Sequence, residues 1–276
     1  MKLFACMCNQ PQRLWAALAP VRPALIAQPP VSRWGLAYSQ GGDVLLIRTP
    51  KGSAKPVDLA APLAEIHTDC AIGQAASSLP GEQWIGTEDT PPFRYRRWMF
   101  AHTGVVELDP EVPLFQDLIP EFLRRNIRGH TPGERVFHVF LAMLHNTGAI
   151  DDPNVPVATT RRALAKTIDL VAAQQSKSET AEPSQLPGRV GLGTLVASNG
   201  RSMVAVRLGA PLRVRRLRID GDPSEARGSG SPHDFRGVLM VSGEDGNASD
   251  GFEDVPANRA VVIHRNLQFE VADLHA

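Results

Sequence analysis

Cysteine, net charge and long apolar runs are all scarce in this sequence of 276 residues. Cys6, Cys8 and Cys70 are an odd number without the spacing of metal ligands, so we predict a reducing, cytoplasmic setting, no disulfide framework and no metal site. Lys plus Arg number 29 and Asp plus Glu number 29, so no broad positive field is available for nucleic acid or an anionic membrane surface. No apolar run approaches the roughly 18 residues of a membrane-spanning helix. We therefore predict a soluble protein that binds neither nucleic acid nor membrane.

The length predicts a single domain over residues 1–276, because a chain of this size can bury about three quarters of the surface that it exposes when unfolded. Two polar segments interrupt the apolar patterns, at about 175–187 and 220–234, and the second is rich in Gly, Ser and Pro. Segments of this composition bury little apolar surface. We predict that both are mobile.

The order of strands and helices predicts the fold class. Short apolar runs bounded by turn residues predict strands at 2–8, 34–39, 44–48, 71–75, 97–101, 105–108, 191–197, 203–208, 212–217, 237–241, 260–264 and 268–271. Apolar residues at three-and-four spacing predict helices at 10–18, 115–126, 133–146 and 158–174, and a Pro-rich loop at 20–30 follows the first. Strands, then helices, then strands predict an α+β protein in which two stacked sheets lie between helical layers, a four-layer αββα sandwich.

Six short motifs carry a resemblance to a known family. They are Leu3-Phe4-Ala5, Trp34-Gly35-Leu36-Ala37-Tyr38, Thr90-Pro91-Pro92-Phe93, Ala101-His102-Thr103-Gly104, Asn199-Gly200-Arg201 and Val255-Pro256-Ala257-Asn258. In order and spacing they resemble the class II glutamine amidotransferases of the N-terminal-nucleophile hydrolase fold. The resemblance is to the stand-alone kind, related to the ergothioneine-pathway γ-glutamyl hydrolase. It runs the whole length of the chain and implies the four-layer sandwich.

The resemblance implies an active site whose nucleophile is an N-terminal cysteine. In that family the free α-amine serves as base while the thiolate attacks the glutamine side-chain amide. Alignment of Leu3-Phe4-Ala5 places Met1 at the nucleophile position, and methionine has no thiol. Cys6 and Cys8 are the alternative nucleophiles. Both fall inside a predicted buried strand, where we favour their interpretation as small buried hydrophobes.

Other positions of the implied pocket are also altered. Ala76 stands where the family has an arginine that clamps the substrate α-carboxylate, and Pro132 stands where it has the aspartate that holds the α-amine. Thr103 replaces the asparagine of the oxyanion hole, a type of loss that lowers rates by on the order of 10²–10³. Gly104 is retained, and we interpret His102 as a packed, hydrogen-bonded histidine. The implied vestigial pocket consists of Trp34, Gln74, Ala76, His102, Thr103, Gly104 and Pro132.

Several losses from one pocket predict a pseudoenzyme, a glutamine amidotransferase-like protein that is a non-catalytic subunit or interaction scaffold beside a protein partner. Two other functions are consistent with the sequence. One is an active class II glutamine amidotransferase or γ-glutamyl hydrolase with an unorthodox cysteine. The other is a non-hydrolysing sensor of a glutamine-like metabolite, which the loss of the arginine clamp disfavours. No cofactor is predicted, and a small-molecule ligand in the old pocket is compatible with the sequence.

Overall fold

Two antiparallel β-sheets form the centre of the protein. The structure, a computed structural model, describes residues 1–77, 86–106, 118–178, 191–219, 234–243 and 251–275. Most of both predicted mobile segments, at 179–187 and 220–233, lies outside the described residues, as do 107–108 of one predicted strand and 115–117 of one predicted helix.

The strands are, in chain order, β1 (Lys2–Cys8), β2 (Ile26–Ala27), β3 (Arg33–Gln40), β4 (Asp43–Thr49), β5 (Val57–Asp58), β6 (Cys70–Ala76), β7 (Phe93–Tyr95), β8 (Trp98–Val105), β9 (Gly191–Ser198), β10 (Met203–Arg207), β11 (Leu212–Leu217), β12 (Gly237–Gly243), β13 (Glu253–Asp254), β14 (Arg259–Ile263) and β15 (Phe269–Asp273). One sheet has the order β13-β11-β12-β1-β6-β3-β4 and the other has the order β15-β14-β10-β9-β8-β7. Their described strand pairs are antiparallel. The short strands β2 and β5 pair with each other.

The α-helices are α1 (Leu14–Leu18), α2 (Glu121–Arg124), α3 (Pro132–Asn146) and α4 (Val157–Ser178). The short helix α1 covers the outer face of the seven-stranded sheet, where it packs with 3₁₀ turns at Pro11–Arg13, Ala19–Leu25 and Ala61–Ala64. The long helices α3 and α4 cover the outer face of the six-stranded sheet. The layers are therefore helix, sheet, sheet and helix.

Successive side chains of β1 alternate between the two faces of its sheet, and each face packs in a different hydrophobic core. Leu3 and Ala5 face the other sheet and belong to the inter-sheet core, whereas Phe4 and Cys6 face α1 and belong to the outer core. Successive side chains of a strand point to opposite faces, so a strand buried on both sides must be apolar throughout. All seven residues of β1 are buried, which explains its nearly continuous apolar sequence.

Aromatic side chains join the six-stranded sheet to α3. The Phe100 ring stacks on the Phe137 ring with their centroids 5.3 Å apart, and the Trp98 ring meets Phe140 edge-on at 5.4 Å. The helix presents its aromatic residues at three-residue spacing, which places both on the same face. The third hydrophobic core of the sandwich lies between the six-stranded sheet and the helices α3 and α4. The predicted αββα arrangement is confirmed.

Several predicted boundaries are corrected by the structure. The structure has one strand, β8, where the sequence predicts two separate strands at 97–101 and 105–108. Gly104 lies within β8, beside a bulge in the pairing of β8 with β9. The predicted helix 115–126 contains Pro120, which cannot donate a backbone hydrogen bond, and in its described part only Leu118 and α2 are α-helical. The predicted helix 10–18 is α-helical only from Leu14 to Leu18. The predicted loop 20–30 contains most of a 3₁₀ turn and β2, and α4 continues to Ser178.

Candidate functional site

A cavity of about 100 Å³ lies beside Met1, where the first strand begins. It is formed where β1, β6, β3 and β8 meet the start of α3. Six of the positions predicted from the sequence line it, namely Met1, Gln74, Ala76, His102, Gly104 and Pro132. The structure thus brings together residues that are far apart in the sequence, as the motif series implies for the family pocket.

Strand register explains how one wall of this cavity forms. Lys2 is opposite Ala75 on β6, so the residue before it, Met1, continues the row opposite Ala76. Arg33 on β3 is also opposite Ala76. Cross-strand neighbours have Cβ atoms about 5 Å apart on one face of the sheet. Met1, Ala76 and Arg33 therefore form one row, which we call the end row.

Gln74 lies one row deeper, opposite Leu3 of β1 and Gly35 of β3. Its Nε2 donates a hydrogen bond of 2.6 Å to the carbonyl oxygen of His102. This contact fixes which end of the amide is the nitrogen, so the other end is an acceptor. That acceptor, Oε1, is buried and has no hydrogen-bond partner among the described residues.

His102 is a neutral, packed side chain. Burial lowers the pKa of the imidazole to about 4, with the Thr103 carbonyl opposing the shift and the charge of Arg33 adding to it. Nδ1 lies 3.3 Å from that carbonyl oxygen, so in the neutral ring Nδ1 carries the proton. The ring packs on the first turn of α3, where a Cβ added to Gly133 would lie 2.2 Å from Nε2. The predicted packed role agrees with this geometry.

Gly104 brings the strand backbone unusually close to β9. Its φ is +92°, a conformation that glycine adopts without a steric penalty, and an added Cβ would lie 2.2 Å from the carbonyl oxygen of Gly191. Only glycine fits both constraints. The bulge therefore has a structural explanation that does not depend on catalysis.

Thr103 and Trp34, both predicted to belong to the pocket, do not line the cavity. Thr103 is buried and its Oγ1 accepts a hydrogen bond of 2.9 Å from the Thr194 backbone N–H. Trp34 packs against the outer core that α1 covers. A motif match fixes the position of a residue along a strand. The face that its side chain occupies depends on the bulge near Thr103 in β8 and on the alternation of side chains along β3 for Trp34.

The polar groups at the start of α3 are used in local structure. The carboxylate of Asp89, which lines the cavity, accepts hydrogen bonds from the backbone N–H groups of His130 at 2.6 Å and Gly86 at 3.2 Å. Thr131 also lines the cavity, and its Oγ1 accepts from the Glu134 N–H at 3.3 Å as the cap of the helix. These contacts tie the loop before α3 to the helix, so neither side chain is poised as a nucleophile.

The three thiols are buried away from the cavity. Cys6 and Cys8 lie on the outer face of β1, and Cys70 lies in the inter-sheet core 3.3 Å from the Ser198 hydroxyl. Burial raises the pKa of Cys8 and of Cys70 to about 12 and raises the pKa of Cys6. Cys6 is five residues from Met1, roughly 16 Å along an extended strand. All three are protonated hydrophobes at neutral pH.

Sequence reasoning missed Arg33, which is buried and lines the same cavity. The signal that could have found it is the pairing of β3 with β6, because Arg33 is the cross-strand neighbour of Ala76. Within the described ranges, no group of three His, Cys, Asp or Glu side chains could hold a metal ion. No helix in that part of the chain is long and apolar enough to cross a lipid bilayer.

Comparison with solved structures finds the same architecture along the whole chain. A glutamine aminotransferase class-II domain protein from Silicibacter pomeroyi is 16% identical, with a TM-score of 0.59 over 99% of both chains. A predicted glutamine amidotransferase from Pseudomonas aeruginosa is 17% identical, with a TM-score of 0.54 over 98% of this chain and 99% of that one. Glutamine phosphoribosylpyrophosphate amidotransferase from B. subtilis, complexed with ADP and GMP, is 10% identical, with a TM-score of 0.51 over 99% of this chain and 49% of that one.

No model of a known protein family matches the chain, and no curated protein sequence matches it. At such low identities a structural likeness establishes the fold and leaves the activity to be argued from the site. The two antiparallel sheets, the helical layers on both sides and the extent of the matches all agree. This chain has the class II glutamine amidotransferase-like fold, as its motif series predicts.

Proposed function

We propose that this protein is a pseudoenzyme of the amidotransferase fold, which acts by binding as a non-catalytic subunit or interaction module beside a protein partner. The observation that carries the proposal is the composition of the cavity beside Met1. None of its described lining residues is a cysteine or serine, and its single hydroxyl-bearing residue, Thr131, caps a helix. Hydrolysis of an amide needs an activated nucleophile at this place.

The alternative that uses an unorthodox cysteine is less consistent with the geometry. Cys6 and Cys8 lie on the face of β1 opposite to Leu3 and Ala5, in the outer core. To reach the cavity, a thiol would have to cross the sheet and move roughly 16 Å along the strand. A thiol with a pKa near 12, as for Cys8, is also almost entirely protonated at neutral pH, and the thiol is a far weaker nucleophile than the thiolate.

The oxyanion position is also changed in a way that disfavours turnover. The Thr103 side chain is buried and its Oγ1 accepts from Thr194, so it does not present a donor to the cavity. The Gly104 N–H is the remaining oxyanion donor that the resemblance implies. Loss of one such donor lowers rates by on the order of 10²–10³ even where the nucleophile is intact.

Retention of the cores supports a binding role. The three hydrophobic clusters that separate the four layers are buried, while the cavity has lost the residue types that hydrolysis requires. This contrast is expected when folding is still needed and catalysis is not. A cytoplasmic location is part of the same proposal, because the three thiols are free and a reducing compartment keeps them so.

An amide hydrolysis assay tests the loss of catalysis. We expect the purified protein to release no ammonia from glutamine and no glutamate from γ-glutamyl amides above a buffer control. Cys6→Ala and Cys8→Ala are matched controls, because each removes one buried thiol. Turnover that disappears in either variant would show that the protein is an enzyme, and intact mass of the same sample would identify the residue at its N-terminus.

The partner is tested separately. We expect a protein encoded beside this one to co-purify with it at constant stoichiometry, and hydrogen exchange to slow on part of the surface when that partner is present. The isolated chain at the same concentration is the control. Identical exchange with and without every co-purifying protein would remove support for the interaction role while leaving the loss of catalysis unaffected.

A further inference from the structure

We propose that the cavity beside Met1 binds a hydroxycarboxylate of two or three carbons, with its carboxylate on Arg33 and its hydroxyl on Gln74. The inference rests on the proposed function in one respect, since the ligand is held and not consumed. Glycolate is the smallest acid of this class and is the probe that we choose.

Arg33 supplies a permanent positive charge to a small space that is partly open to solvent. The residue is 9% exposed and lines the cavity from β3, opposite Ala76, whose methyl group leaves room beside the guanidinium. Buried charges are costly unless an opposite charge or several hydrogen bonds accompany them. Arg33 interacts with other residues of the chain, and its Nε is buried without a hydrogen-bond partner among the described residues. A carboxylate matches the fork of the guanidinium.

Gln74 supplies the second recognition element. It is 3% exposed, and its Oε1 is a buried acceptor without a partner among the described residues. Nε2 is held by the His102 carbonyl, so the amide cannot turn to present a donor without losing that bond. A ligand that carries a hydroxyl beside its carboxylate would satisfy Oε1, and a plain carboxylate would not.

The charges around the cavity favour a hydroxyl over an ammonium group. Arg33 would repel a second cation in a small space of low polarity. Asp89 lines the same cavity, but both of its carboxylate oxygens accept backbone N–H bonds, which reduces its attraction for an ammonium. The same carboxylate would repel a second carboxylate of the ligand. We therefore expect a hydroxy monocarboxylate in preference to an amino acid or a dicarboxylate.

Size restricts the ligand further. The volume of about 100 Å³ is smaller than the roughly 150 Å³ of an engineered cavity that binds benzene. An acid of two or three carbons is smaller than benzene, whereas glutamine is larger. Pro132 and the neutral His102 complete the wall without adding charge. The cavity is therefore matched to a compact anion.

Titration with glycolate, followed by ligand-detected NMR and calorimetry, tests the proposal. We expect the intact protein to bind glycolate at least tenfold more tightly than acetate, glycine, malonate or glutamine. Arg33→Gln should weaken glycolate binding at least tenfold. Gln74→Met should make glycolate and acetate equivalent. Arg128→Gln is the matched control, because this exposed arginine lines a separate, larger cleft and its loss should change nothing.

Ala76→Leu provides a second variant in case Arg33→Gln fails to fold. A leucine at this position fills the space beside the guanidinium and should abolish glycolate binding while retaining the charge. No binding of glycolate by the intact protein, or equal binding by every variant, would overturn the inference. Glycolate binding together with glutamine hydrolysis would overturn the proposed function instead, so the two failures are distinguishable.

Discussion

The inner face of β1, β6 and β3 changes character between its middle and its end. In the middle, Ala5, Ile72 and Ala37 form one row of completely buried residues in the inter-sheet core. Four residues further along each strand, the end row contains Met1, Ala76 and Arg33 and borders the cavity. The strands, the face and the register are the same, so the difference reflects what each row contacts. Packing restricts the middle, whereas the end row can change its chemistry without changing the fold.

Gly104, at the bulge of β8, lines the cavity that the end row borders, and we expect its substitution to have the largest effect. Gly104→Ala places a Cβ 2.2 Å from the Gly191 carbonyl oxygen at a φ of +92°, and should cost about 3 kcal/mol or more of unfolding free energy. Urea unfolding measures it. Gly41→Ala is the control, because Gly41 has a φ of +63° with open space around it and should cost about 1 kcal/mol. Equal losses would show that the close approach to Gly191 is unimportant.

Substitution in the middle row, compared with substitution in the end row, should give the next largest change in unfolding free energy. Ile72→Ala leaves a cavity between the sheets and is expected to lower the unfolding free energy by about 2–4 kcal/mol. Ala76→Ser adds one polar atom to a side chain at the edge of the cavity and should change it by less than about 1 kcal/mol. Both are measured by urea unfolding under one set of conditions. Similar losses at both positions would mean that the end row is as tightly packed as the core.

The protonation of His102 should make stability depend on pH. Between its ordinary pKa of 6.5 and the folded value of about 4, the unfolded chain binds a proton that the folded chain does not, so stability falls as the pH falls through this range. A fully buried ring would give about 3 kcal/mol, and the partial exposure of the residue reduces our expectation to about 1–2 kcal/mol. His102→Gln should flatten the profile by that amount. His145→Gln, at an exposed position, is the control.

The smallest effect is expected at Thr103, which is buried and does not line the cavity. Thr103→Val removes the acceptor for the Thr194 N–H and should cost about 1 kcal/mol, because that buried donor is left without a partner. Thr103→Ser retains the hydroxyl and should restore most of the loss. Thermal unfolding of the two variants measures the difference. A greater loss for the serine variant would show that packing of the methyl group, and not the hydrogen bond, is what matters.

The fold was largely predictable because its signals are local. Apolar runs and turn residues identify most strands, and a hairpin with Gly41 and Gly42 at positive φ joins β3 and β4. The helix spacing identified α3 and α4 to within a few residues. The predicted boundaries differ from the structure where a single glycine or proline changes the local backbone conformation. The predicted strands 97–101 and 105–108 leave out 102–104, where Gly104 allows a bulge within one strand, and Pro120 lies inside a predicted helix.

The site was predictable only in part, because it depends on which side chains share a face. Gln74, His102 and Gly104, which the motifs indicate, line one cavity in the structure. The motifs do not indicate that Thr103 is absent from the lining, or that Arg33 stands opposite Ala76. Both facts follow from strand register and from a bulge. Neither is visible in a comparison of positions along one strand.

The position of β1 has a consequence for synthesis of the protein on the ribosome. β1 precedes both of its partner strands along the chain and lies in the middle of its sheet, with Lys2 opposite Gly243 on β12 and opposite Ala75 on β6. Its edge toward β6 can pair early, but its edge toward β12 must wait until translation has reached Gly237–Gly243. An apolar strand with an open edge is prone to pair with other chains. A nascent chain that stalls before β12 is therefore expected to need a chaperone.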